Sequence, residues 1–138
     1  MRDLKNNLYI QVLLDLADTE GGDAESAILD LVGYRSAVLA VIGNAAGIGV
    51  GDKIVFSVLH GDEADDLGPI ASGDLQGSFA EVTADGPICQ WVGYIGGKRY
   101  IQVTATVTGT LTASFLGVYA VVDHAFKAPV GAPAVVET

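Results

Sequence analysis

Tyr100-Ile101-Gln102-Val103-Thr104-Ala105-Thr106-Val107-Thr108-Gly109 is the stretch that decides the fold. Ile101, Val103, Ala105 and Val107 fall on one face at period two, and Gln102, Thr104, Thr106 and Thr108 fall on the other. Strict alternation with β-branched residues on both faces is the pattern of a half-buried strand. Gly109-Thr110 reads as a hairpin turn, after which residues 112–122 resume as a second strand. Upstream, residues 53–60 set Ile54, Phe56 and Val58 against Val55, Ser57 and Leu59. Both of those faces are largely apolar, so this strand belongs near the middle of a sheet. Residues 8–16, 36–42 and 90–95 add further strands, with a short one at 27–31, and glycine-rich 44–52 reads as a loop.

Helix competes in two places and loses in both. Residues 23–31 start on a possible cap, yet Ala27, Leu29 and Leu31 alternate and Gly33 stops the run. Gly77 interrupts residues 73–83. The 18 glycines, about 13% against a usual ~7%, suit short strands joined by tight turns. The expectation is an all-β chain folded as an antiparallel β-sandwich or barrel, with jelly-roll connectivity one arrangement that this spacing allows. Residues 8–127 would form the single domain. Residues 1–7 would be a flexible N-terminal arm, and residues 128–138, broken by Pro129, Gly131 and Pro133, a flexible C-terminal tail off the core.

Composition narrows the function classes. Half of the 138 residues are apolar and the mean hydropathy is +0.42, which excludes a disordered chain. The longest apolar runs, 37–42 and 117–122, fall far short of the roughly 20 residues that a membrane helix needs. Residues 1–7 lack the apolar core of a signal peptide, so a soluble chain made in the cytoplasm is expected, with no membrane partner. Seventeen acidic against seven basic residues leave a net charge of −10, which argues against a nucleic-acid partner. The lone Cys89 excludes an internal disulfide and reads as a small buried residue.

Four stretches look like chemistry. Gly43-Asn44-Ala45-Ala46-Gly47-Ile48-Gly49 has the glycines of a dinucleotide-binding turn, and Tyr94-Ile95-Gly96-Gly97-Lys98 has the Tyr-x-x-x-Lys spacing of short-chain dehydrogenases. The first must open a helix, but Gly51-Asp52 and a period-two strand follow it. The second must lie on one helical face, and its two central glycines cost about 2 kcal/mol of helix propensity. Asp62, Glu63, Asp65 and Asp66 lack the alternation and closing Glu of an EF-hand, so they read as a solvated loop tip. His60 and His124 could be arranged with Ser57 or Ser114 into a Ser/His/Asp set, but no Gly-x-Ser-x-Gly elbow accompanies them. No catalytic, cofactor-binding or metal-binding residue is assigned, and no cofactor is expected. Trp91, Tyr94 and Tyr100 bracket the turn Gly96-Gly97-Lys98-Arg99, and these aromatics beside an Arg make either an interface hot spot or core residues with a polar edge. Leu4, Leu8, Val130 and Val135 are apolar groups at the chain ends that a free domain would leave wet. Leu4, Leu8, Trp91, Tyr94, Arg99, Val130 and Val135 are the seven residues of the candidate interface.

Trp91-Val92-Gly93-Tyr94-Ile95-Gly96-Gly97-Lys98-Arg99-Tyr100-Ile101-Gln102-Val103, running on to Thr110, resembles a run in small proteins from the head-gene clusters of tailed phages and prophages. There, Gly-Tyr-x-Gly-x-Lys-Arg-Tyr precedes a Thr/Val-alternating strand. Leu29-Asp30-Leu31-Val32-Gly33-Tyr34-Arg35-Ser36, Asp74-Leu75-Gln76-Gly77 and the opening Asp3-Leu4-Lys5-Asn6-Asn7 are similar to the same group. The shared motifs are turns and strands without a catalytic signature. The resemblance implies a non-enzymatic virion structural protein, a capsid decoration or cement protein on the outside of the head. Its partners would be the major capsid protein and further copies of itself, as a homo-oligomer such as a trimer. A tail-tube, terminator or fibre-base subunit is the alternative within the virion, and a carbohydrate-binding sandwich is the alternative outside it.

Overall fold

Alternation along the chain becomes strands almost everywhere. The computed structural model describes residues 8–16, 19–32, 34, 36–111, 115–123 and 135–136. Among them are eleven strands: β1 (Leu8–Leu16), β2 (Thr19–Glu25), β3 (Ile28–Asp30), β4 (Ser36–Ala45), β5 (Lys53–Glu63), β6 (Asp66–Pro69), β7 (Leu75–Gln76), β8 (Gly86–Tyr94), β9 (Tyr100–Leu111), β10 (Phe115–Asp123) and β11 (Val135–Val136). A 3₁₀ turn at Ser72–Asp74 is the one helical element among the described residues. No described helix is long and apolar enough to cross a membrane.

The pairings are nested. β1 pairs with β10, β2 and β3 pair in succession with β9, β4 pairs with β8, and β5 pairs with β6, all antiparallel. That is one long hairpin, and two further antiparallel pairings, β10 with β4 and β9 with β5, wind it up on itself. The outcome is two sheets, β1-β10-β4-β8-β7 and β11-β3-β9-β5-β6, with β2 also on β9. This is jelly-roll connectivity in a sandwich with open edges, not a closed barrel.

Between the sheets lie Leu39, Val41, Val92, Val118, Ala120 and Val122 from one side, and Leu29, Ile54, Phe56, Val58, Ile101, Val103, Ala105 and Val107 from the other. Phe56, Val58, Ile101, Val103 and Val107, which alternation sets on single apolar faces of their strands, are buried there. Burying a Val, Leu or Ile side chain of this kind contributes about 1.5–3 kcal/mol.

β2 and β3 are one strand broken at a corner. Ser26, fully buried, donates its N–H to the Val103 carbonyl (2.9 Å), and its Oγ accepts the Val103 N–H (3.0 Å). The Oγ also donates to the Ala27 carbonyl (2.8 Å), and buried Gln102 donates from Nε2 to the Ser26 carbonyl (2.9 Å). Beyond the corner, the Ala27 N–H reaches across to the Leu13 carbonyl of the opposite sheet (3.1 Å). The serine hydroxyl stands in for a ladder carbonyl, so the strand bends without orphaning a buried donor.

Several expectations are corrected. Gly109-Thr110 is not a hairpin turn, because β9 continues to Leu111. Gly109 is needed inside that strand, with φ 88° and the Asp52 carboxylate filling the place of a Cβ. The loop expected at 44–52 begins two residues later, since β4 runs through Ala45. β2, β6, β7 and β11 were not anticipated: each is short or polar and is held chiefly by main-chain pairing to a neighbour. β11 lies in the stretch expected as a tail, where Val135 and Val136 pair with Leu29 and Ile28. The arm at residues 1–7 lies outside the described residues.

Candidate functional site

At one end of the sandwich the β3–β4, β5–β6 and β8–β9 connections come together around a concave site of ≈ 490 Å³. Its walls include Tyr34, Asp62, Tyr94, Lys98 and Arg99. Arg99 donates from Nε and Nη2 to the two oxygens of Asp30 (2.9 Å each), and the Val32 N–H donates to Asp30 Oδ1 (3.0 Å). The Arg99 hydrogen bonds hold the Asp30 carboxyl below its ordinary pKa, against the opposing effect of partial burial. Arg99 also lies over the ring of Tyr100, 4.9 Å from its centroid. Lys98 pairs with Asp62 at 2.7 Å, which raises the pKa of the ammonium.

Tyr94 ends β8 pointing inward and is 4% exposed. Its hydroxyl accepts the Lys98 N–H (3.1 Å) and shares a hydrogen bond with His60 Nδ1 (2.9 Å), with the two rings edge to face. Burial pushes the phenol pKa up. The Tyr94/Lys98 spacing is therefore a turn closed by a side chain, as its glycines imply. Each charged or imidazole group named at this end is engaged in holding a loop. Ser57 sits on the opposite face of β5 from His60 and shares a hydrogen bond with Thr104 Oγ1 (2.7 Å), so the two do not meet. Ser114 and His124 lie outside the described residues. The acidic stretch is the β5–β6 hairpin, with its turn at Ala64-Asp65. Among the described residues no group of three or more His, Cys, Asp or Glu side chains could hold a metal ion.

The second feature is the outer face of the β1-β10-β4-β8 sheet. Register lines up Ile10, Val121, Val38 and Gly93 in one row across four strands, and Val12, Tyr119, Ala40 and Trp91 in the next. A third row runs through Asp15, Gly117, Ile42 and Cys89. Tyr119 folds its ring over Gly117, so the glycine leaves no hollow. The described side chains of the first two rows carry no charge, although an antiparallel sheet with one solvated face ordinarily turns polar residues outward. Asp15 and Asp123 take register positions at the two ends of the face.

The seven expected interface residues are dispersed. Leu8 and Trp91 share the apolar sheet face. Of the two readings left open for it, Tyr94 takes that of a core residue with a polar edge, because it lies three positions from Trp91 and so on the opposite side of β8. Arg99 is at the loop end in its clasp with Asp30. Val135 pairs through its backbone with Leu29, and Leu4 and Val130 lie outside the described residues. Cys89 is exposed, not buried as expected. Ile10, Val12, Val38, Ile42, Tyr119 and Val121 were missed as surface residues. Their signal was present: residues 8–14 and 37–42 are apolar on both faces, which a two-layer sandwich explains on one face only.

Neither a protein-family model nor a curated protein sequence matches this chain.

Proposed function

We propose that this chain is a non-enzymatic structural subunit of a tailed-phage virion, made in the host bacterial cytoplasm and carried on the outside of the head against the major capsid protein. The observation that supports it most is the uncharged apolar face across four strands of a chain with net charge −10. Contiguous apolar surface of that extent marks a protein–protein contact. The resemblance of residues 91–110 to proteins of phage head-gene clusters supplies the virion setting. The jelly roll agrees with it in kind, since capsid and lectin domains use this architecture, but a fold alone does not assign a function.

A sugar-binding reading has less support. It needs an exposed aromatic beside polar loop groups, whereas Trp91 is on one sheet and the acidic β5–β6 hairpin is on the other. The test is loading of purified protein onto heads that lack the subunit, and onto purified tails. Saturable binding to heads is expected, reduced by deletion of residues 1–7 or 128–138. Binding to tails and not to heads would transfer the subunit to the tail, and binding to neither would end the virion reading.

A further inference from the structure

We propose that the outer face of the β1-β10-β4-β8 sheet is where two copies of this chain meet, sheet against sheet across a two-fold axis. The inference deepens the assembly role proposed above and is independent of whether the larger structure is a head or a tail.

The area comes first. Ile10 is 65% exposed, Val12 54%, Ile42 45% and Trp91 64%. Together these four residues expose about 500 Å² of mostly apolar surface, at the upper end of the largest patch on an ordinary monomer. Partly exposed Leu8, Val38, Tyr119 and Val121 lie between and beside them. The whole face therefore approaches the roughly 800 Å² per partner of a standard stable interface, with its aromatic anchor in place.

Charge then selects the occupant. Two copies with a net charge of −10 each repel, and they can approach closely only through a surface without carboxylates. The first two rows of this face, from Ile10 to Gly93 and from Val12 to Trp91, are such a surface; Asp15 takes the β1 position of the third row, and Asp123 pairs with Leu8 beyond the first. An uncharged centre with a polar rim is the ordinary anatomy of a protein interface. A face this apolar also needs a cover that is present whenever the chain is, and a second copy meets that condition at its own concentration.

Symmetry sets the number. A single flat patch that contacts itself closes with two copies. A trimer, the arrangement considered from the sequence, needs two different patches that fit one another.

The test uses the full chain and its only cysteine. Cys89 is exposed on this face, next to Ile42 by register. Sedimentation equilibrium should give twice 14.2 kDa at tens of micromolar. Dissociation on dilution should increase the rate at which a thiol reagent modifies Cys89 by tenfold or more. Added salt should tighten the dimer, because it screens like charges while leaving the apolar contact intact. Ile10→Glu with Trp91→Glu should give a folded monomer, as judged by a strand-type circular dichroism spectrum. If that double variant fails to fold, the dilution series on the unaltered chain still decides. A monomer at every concentration, a trimer, a dimer whose Cys89 stays equally reactive, or a folded double variant that remains dimeric would each overturn the proposal.

Discussion

Removing one hydroxyl at the β2–β3 corner should destabilise the whole sandwich. Ser26→Ala leaves the Val103 N–H without its acceptor at a position where both residues are fully buried. A buried donor left unsatisfied costs about 1–3 kcal/mol. The Ala27 carbonyl loses its Oγ donor as well, but Ala27 is partly exposed and water can replace it, so the loss there is under about 1 kcal/mol. The backbone bond from the Ser26 N–H to the Val103 carbonyl survives, and the volume lost is one oxygen. The expected total is about 2–3 kcal/mol, or about 6–10 °C in Tm for a chain of this length. Ser57→Ala is the control, because its hydroxyl bonds Thr104 Oγ1 on an exposed face and should change stability by less than about 0.5 kcal/mol. Urea unfolding followed by far-ultraviolet circular dichroism, at one protein concentration, measures both. Equal effects of the two substitutions, or a Ser26→Ala effect below about 0.5 kcal/mol, would refute the claim that the hydroxyl replaces a ladder carbonyl.

Three further outcomes follow from the same structure. Asp30 titrates below its ordinary value when folded, so its contribution is complete above the unfolded carboxyl pKa near 3.9 and disappears as pH falls through the lower folded value. The Tm gap between the unaltered chain and Asp30→Asn should therefore narrow below about pH 4, and a gap unchanged at pH 2 would contradict the Arg99 clasp. Gly109→Ala forces a Cβ onto positive φ and into the Asp52 carboxylate, which accepts the Gly49 N–H; a loss of about 2 kcal/mol or more in urea is expected, and a neutral result would show that β9 does not need this twist. Millimolar Ca²⁺ should leave Tm unchanged, since Asp62 already pairs with Lys98; a rise of several degrees reversed by EDTA would establish a site at the β5–β6 hairpin.

Some of this was legible in the residues alone, because period two is local. The inward set Ile101, Val103, Ala105 and Val107 and the inward set Ile54, Phe56 and Val58 follow from alternation, and side by side in one sheet they became a single wall of the core. The glycines between Tyr94 and Lys98 likewise exclude a helical face without reference to any neighbour. Other features depend on what lies opposite. β2 is a strand of Gly and acid because the free edge of β9 supplies its hydrogen-bond partners, and main-chain pairing is nearly blind to side chains. Ser26 is an ordinary serine until the fold sets its hydroxyl against Val103. The same holds for the apolar residues of β1 and β4: sequence marks both faces as apolar, but only the pairing of four strands determines which of them cover the core and which form a bare surface. Trp91 and Tyr94, grouped as one aromatic cluster in the chain, end on opposite sides of a sheet because a strand turns each successive side chain to the other face.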